Sequence, residues 1–198
     1  MEKGRNNWDK LYSETDGAPA AVAAVLEENE HLLPATGEAL EIACGRGANA
    51  IFLARKGLNA LAWDTSSVAV EQINYRAKSE SLHLIAEVRD VVNEPPQSDS
   101  FDVIVVTHFL DRELAPRIVA ALKENGLLYY QTFTRNRVSS RGPQNEDYRL
   151  ADNELLNLFA GLKVLVYREE GELGDCSRGF RDEAMLVGQK QTARTGPR

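Results

Sequence analysis

Nine residues, Glu41-Ile42-Ala43-Cys44-Gly45-Arg46-Gly47-Ala48-Asn49, join a carboxylate to a glycine bend. Gly45 and Gly47 can take backbone angles closed to other residues, and they let a ligand lie against the main chain. Glu41 stands just before the bend. A negative charge there repels a diphosphate and favours a cofactor that carries positive charge. Two more carboxylates follow at comparable places. Asp64 comes 19 residues after Gly45 and ends a second apolar run; a carboxylate there can accept hydrogen bonds from both hydroxyls of a ribose. Asp90 ends a third run and suits the exocyclic amine of adenine, a donor that needs an acceptor. The bend by itself, Gly45-Arg46-Gly47-Ala48-Asn49-Ala50, also fits the dinucleotide pattern G-x-G-x-x-A. A nicotinamide-dependent oxidoreductase is therefore the alternative, and a cofactor-binding module without catalysis is a third reading.

A second group of residues could serve chemistry beyond the cofactor. His108 follows the apolar run Phe101–Thr107 and is the best-placed general base. Asp111 is the runner-up, and it could equally cap a helix beginning at Arg112. Arg135, Arg137, Arg141 and Arg149 put four cations into 15 residues of an acidic chain. That density suggests an anion-docking loop, with Arg137 and Arg141 as the substrate contacts; a solvated surface loop is the plainer reading. Cys44 reads as a small buried residue, because no histidine or carboxylate is identified to activate it. No metal site is expected.

The elements that would position these groups alternate. Leu40–Ala43 and Leu58–Asp64 read as strands around a helix, Ala48–Lys56. Ser66 or Ser67 can cap the next helix, which runs to about Ser79. His83–Val88 and Phe101–Thr107 are the third and fourth strands; the unbroken apolar run of the latter implies burial on both faces. A helix over Arg112–Lys123 is stopped by Glu124-Asn125-Gly126, and Leu127–Thr134 is a fifth strand. A long polar loop, Arg135–Tyr148, precedes a short helix, Asp152–Leu158. Leu162–Tyr167 and Glu183–Val187 complete the set. Near the start, Ala20–Glu30 reads as a helix. The pattern is that of an α/β, doubly wound, Rossmann-like fold: a mostly parallel seven-stranded sheet, helices on both faces, and an antiparallel C-terminal strand. A single domain over residues 1–190 is expected, with residues 1–30 as an N-terminal helical lid and 191–198 as a disordered tail. Such sheets bind ligands beyond the carboxyl ends of their strands, near the point where strand order reverses.

The net charge of −7 gives no reason to hold a polyanion, so nucleic acid is not an expected partner. No apolar run reaches the roughly 18 residues of a membrane span. Two cysteines are too few for a disulfide framework, and the N-terminal residues lack the apolar core of a secretory signal, so a cytoplasmic location with reduced thiols is expected.

The combination of Glu41, the glycine bend, Asp64 and Asp90 resembles the class I S-adenosylmethionine-dependent methyltransferase superfamily. Ala43 stands where that family usually has its first glycine. The resemblance implies S-adenosyl-L-methionine as cofactor and a small-molecule methyl acceptor, with an anion, a thiol or a metalloid as the candidates. It places Ala43, Cys44, Gly45, Gly47 and Asn49 around the methionine portion, Asp64 at the ribose hydroxyls, and Asp90 with Val91 at the adenine, with Thr65 and Thr107 as further cofactor contacts. His108 would lie near the sulfonium and the acceptor. Within the superfamily the chain is similar to small bacterial enzymes of the tellurite-resistance and thiopurine methyltransferase type. The shared features are the opening Trp8-Asp9-Lys10-Leu11-Tyr12, the C-G-x-G-x-N bend ending at Asn49, and Tyr148-Arg149-Leu150 followed by Asn153–Phe159. Trp8 and Tyr12 would then fold over the cofactor.

Overall fold

The computed structural model describes Asp9, Tyr12, Ser13 and residues 20–192. Trp8, most of the expected lid and the tail from residue 193 lie outside the described residues. Seven strands form one sheet: β1 (Glu38–Ile42), β2 (Asn59–Asp64), β3 (Leu84–Val88), β4 (Phe101–Thr107), β5 (Leu122–Phe133), β6 (Lys163–Glu169) and β7 (Glu183–Gln189). Their order is β3-β2-β1-β4-β5-β7-β6. The chain winds outward from β1 to β3, then restarts at β4 on the other side of β1. β1 and β4 pair in parallel, with Ile42 opposite Val106, so their carboxyl ends open side by side at this reversal. β7 alone runs against its neighbours, antiparallel to both β5 and β6. The expected sheet is the one observed.

Side chains alternate across the central strands as a sheet buried on both faces requires. Val103, Val105 and Tyr129 join one core, with Ile51 and Leu53 of helix α2 (Ala48–Arg55) and Ile73 of α3 (Ser67–Ser79). Ile104, Val106 and Tyr130 join the other, with Ile118 of α4 (Ala115–Ala121) and Leu155 of α5 (Glu154–Leu158). Burying each such aliphatic side chain is worth about 1.5–3 kcal/mol, which gives the strand ends a rigid base. Ser66 caps α3 as expected, its Oγ accepting from Ala69 N at 3.3 Å.

Three expectations are corrected. The helix expected over Ala20–Glu30 is only Ala24–Glu27, here α1. Ala23 is extended and gives its N–H to Asn49 Oδ1 at 2.9 Å, a tertiary bond that outweighs alanine's helix propensity. The helix expected from Arg112 begins at Ala115, because the Asp111 carboxylate accepts from Leu114 N and holds the preceding turn. Glu124-Asn125-Gly126 does not stop that helix. The chain has already entered β5 at Leu122, and these residues lie where the pairing with β4 jumps from Phe101–Leu122 to Val103–Leu127.

Candidate functional site

A cavity of about 500 Å³ opens at the carboxyl ends of β1, β2 and β4. Of the residues singled out in the sequence, Tyr12, Glu41, Ala43, Cys44, Gly45, Asn49, Asp64, Thr65, Asp90, Val91, Thr107, His108 and Arg141 line it. Gly47, Asp111 and Arg137 do not, and Trp8 is outside the described residues.

Glu41 reaches from β1 to the start of α2. Gly47, the residue before α2, has no side chain to cap it; Glu41 does so instead, its Oε2 accepting from Ala50 N at 2.8 Å and its Oε1 from Asn49 Nδ2 at 2.7 Å. The positive end of a helix favours a carboxylate there. Burial nevertheless dominates and pushes the carboxyl up to about 8, against those two hydrogen bonds. Asn49 also donates to Thr107 Oγ1 at 3.2 Å, so it ties the ends of β1 and β4 together.

Asp64 accepts from Gly45 N at 2.8 Å and from Ser66 N at 2.9 Å. It thus holds both the glycine bend and the cap of α3. A carboxylate offers about four lone-pair directions, so it retains acceptor capacity toward the cavity. Gly47 N is also spoken for, donating to Cys44 O at 2.8 Å. Gly47 serves packing: its φ is +68°, and a Cβ there would lie 2.7 Å from Ile73 Cδ1. Ala43 has φ +52°, in the region that favours glycine. Tyr12 covers the bend closely enough that a Cβ on Gly45 would sit 2.9 Å from its hydroxyl. Burial first, then the charge of Asp64, holds the Tyr12 phenol protonated well above its ordinary range. Burial likewise pushes the Cys44 thiol up, in keeping with an inert side chain. Asp90 turns its carboxylate to Val92 N at 3.1 Å and Asn93 Nδ2 at 2.7 Å.

The far end of the cavity is organised by a residue that the sequence did not single out, Glu183 at the start of β7. Its side chain is only 4 % exposed. Oε2 meets His108 Nε2 at 3.2 Å and accepts from Gln131 Nε2 at 2.5 Å; Oε1 accepts from Arg141 Nη2 at 3.2 Å. Burial alone would raise this carboxyl, but His108, Gln131 and Arg141 outweigh it and hold it below the usual range. Gln131 also accepts from Val25 N at 2.8 Å, and Ala20–Ala24 line the cavity. The one signal of Glu183 in the sequence is a lone charge opening an otherwise apolar strand.

The arginine loop divides by role. Arg149 is 1 % exposed and donates to Pro143 O and Thr134 O, each at 2.7 Å, and to Arg141 O. It braces the loop and holds the backbone of Arg141 beside the cavity. Arg137 lies near Arg149, close enough for its charge to depress that guanidinium after burial has done so. The expectation that Arg137 contacts substrate is corrected, since it lies off the cavity wall. The expectation of Asp111 as a base is corrected too, because it lies off the cavity wall and its Oδ1 accepts from Leu114 N in the turn before α4.

Similarity to known proteins agrees with this geometry. The probable S-adenosyl-L-methionine-dependent methyltransferase TehB of Haemophilus influenzae is 27 % identical over 141 residues, 68 % of this chain and 49 % of that protein. The chain spans about half the length of the curated relatives it matches most extensively. The crystal structure of TehB from H. influenzae superposes with a TM-score of 0.71 at 21 % identity, covering 93 % of this chain and 67 % of that one. A TehB-like S-adenosylmethionine-dependent methyltransferase from Corynebacterium glutamicum superposes with a TM-score of 0.64 at 17 % identity, covering 96 % and 100 %. The family model of tellurite resistance protein TehB matches residues 5–180. Carrying that match through the glycine bend, the arginine loop and β6, the chain belongs to the TehB family.

Proposed function

We propose that the chain is an S-adenosyl-L-methionine-dependent methyltransferase acting on a small molecule. One observation carries this reading over the dinucleotide alternative: the bend does not offer its amides to a phosphate. Gly45 N is bound to Asp64 and Gly47 N to Cys44 O, while the carboxylates of Asp64 and Asp90, with the carboxyl of Glu41 beside them, line the same cavity. A diphosphate would meet negative charge there. Adenosine joined to a cationic amino acid would meet acceptors.

The residues present fit that group. Asp64 would hold the ribose hydroxyls, Asp90 and Val91 the adenine edge, and Glu41, Ala43 and Gly45 the methionine portion under Tyr12. Bound S-adenosylmethionine supplies a methyl group already activated by a sulfonium. The chain's task is then alignment, which by itself is worth about 7–11 kcal/mol in favourable cases. The rigid ends of β1 and β4 set the distance between donor and acceptor sites, and the Ala20–Ala24 wall limits water. His108 and Arg141 face the acceptor end. Among the described residues, no helix is long and apolar enough to cross a membrane.

Equilibrium dialysis tests the reading. Labelled S-adenosylmethionine should be retained and displaced by S-adenosylhomocysteine but not by NADH. Retention of NADH in its place would revive the oxidoreductase.

A further inference from the structure

Glu183, His108 and Arg141 form a unit that cofactor binding does not require. Glu183 is ionised and therefore only accepts hydrogen bonds. The His108 nitrogen facing it, Nε2, must carry the hydrogen, which leaves Nδ1 with a free lone pair in the neutral ring. The ring is further fixed by stacking on Phe133, centroids 4.8 Å apart. The backbone at His108 is left-handed, φ +54°, and pinned by its N–H to Gln131 O at 2.9 Å. Such a backbone is uncommon for a residue other than glycine. Arg141 uses Nη2 on Glu183, and its side chain is 65 % exposed. The rest of its fork makes no other side-chain hydrogen bond among the described residues, and Arg141 lines the cavity.

We propose that Glu183 is a positioning residue that holds His108 as the proton acceptor for a protic methyl acceptor, one bearing a hydroxyl, thiol or amine, whose acidic group docks on Arg141. This rests on the methyltransferase reading. The acceptor heteroatom forms the new bond to the methyl carbon; the sulfur–methyl bond breaks, and its electron pair stays on sulfur. The proton of the heteroatom goes to His108 Nδ1 and from there to water. Glu183 balances the imidazolium while it lasts. The charged groups around the ring are Glu183 on β7 and Arg141 on the loop, with Glu41 beyond Asn49 and Thr107. A metalloid oxyanion that attacks through a lone pair would leave this machinery idle.

Two readouts test it. Long-range proton–nitrogen correlation on the S-adenosylhomocysteine complex reports which ring nitrogen carries hydrogen. The Nε2–H form should dominate in the wild type and give way to a mixture in Glu183→Gln; an Nδ1–H ring in the wild type, or no change in the variant, would overturn the proposal. The second is label transfer to 4-hydroxybenzoate, 3-mercaptopropionate, anthranilate and selenite. Transfer to a protic member should fall about 100-fold or more in His108→Asn, a replacement that tolerates left-handed backbone. Arg141→Gln should raise the KM for that member tenfold or more. Transfer to selenite alone, turnover that survives His108→Asn, or a blank across the protic members would overturn it. Calorimetry with S-adenosylhomocysteine separates the two levels: a wild type that fails to bind it loses the methyltransferase reading, whereas normal binding with the wrong tautomer loses only this proposal.

Discussion

Cofactor binding should release a proton from Glu41. The carboxyl is 2 % exposed, and burial raises it to about 8 despite hydrogen bonds from Ala50 N and Asn49 Nδ2. At pH 7 such a group is about one-tenth ionised in the free protein. A bound cation favours the ionised form, so binding S-adenosylmethionine at pH 7 should release close to one proton. Affinity should therefore climb about tenfold, or 1.4 kcal/mol, per pH unit from about 6 to 8, and level off above that. The free protein follows the opposite course. A carboxyl raised in the folded state binds its proton more tightly there than in the unfolded chain. Its stabilising contribution is complete below the ordinary value of 4.5 and is lost as pH rises through about 8. Isothermal calorimetry in two buffers of different ionisation enthalpy counts the proton directly. Glu41→Gln should abolish the slope; it also loses one of the two accepted hydrogen bonds, so its fold should be checked by circular dichroism. Comparing S-adenosylhomocysteine, which keeps the ammonium but lacks the sulfonium, tells which charge Glu41 senses. A wild-type affinity flat between pH 6 and 8, or a slope that persists in Glu41→Gln, would refute the reasoning.

Three further outcomes are expected. Ala43→Gly should stabilise the protein by about 0.5–1 kcal/mol, since relief of the left-handed alanine exceeds glycine's entropy cost; a thermal melt should rise by about 1–4 °C, and an unchanged or lower Tm would count against strain at the bend. Asp111→Ala should cost about 1 kcal/mol through loss of the turn before α4 and leave turnover of the folded enzyme intact; a loss of turnover without loss of stability would return Asp111 to the chemistry. Arg149→Met should destabilise by about 3 kcal/mol or more, as three backbone carbonyls lose a buried charged donor, and should expose the 134–143 loop to proteolysis; urea melts and limited digestion check both, and a resistant loop would deny Arg149 its bracing role.

The glycine-bend end of the cavity was readable because it is local. Glu41, Gly45, Asp64 and Asp90 each sit at or just beyond a strand end, and strand ends follow from apolar runs and turn residues. The Glu183 end was harder for a physical reason. Glu183 belongs to β7, which inserts between β5 and β6 after a long excursion; its meeting with His108, 75 residues away, depends on sheet order and not on spacing. Ala20–Ala23 misled through propensity: a run of alanines favours helix, yet the N–H groups of Ala23 and Val25 go to Asn49 and Gln131 across the cavity. Gly47 looked like a ligand contact, but its missing side chain makes room for Ile73. The four loop arginines read alike in sequence, and burial alone distinguishes the brace, Arg149, from the exposed Arg141.

The most direct trial is a crystal structure of the chain with S-adenosylhomocysteine. Its ribose hydroxyls should lie within hydrogen-bond distance of Asp64 and its adenine against Asp90 and Val91, with its sulfur turned toward His108 and Arg141. A ligand bound with its amino-acid end at Asp90, or lodged away from the glycine bend altogether, would contradict the account.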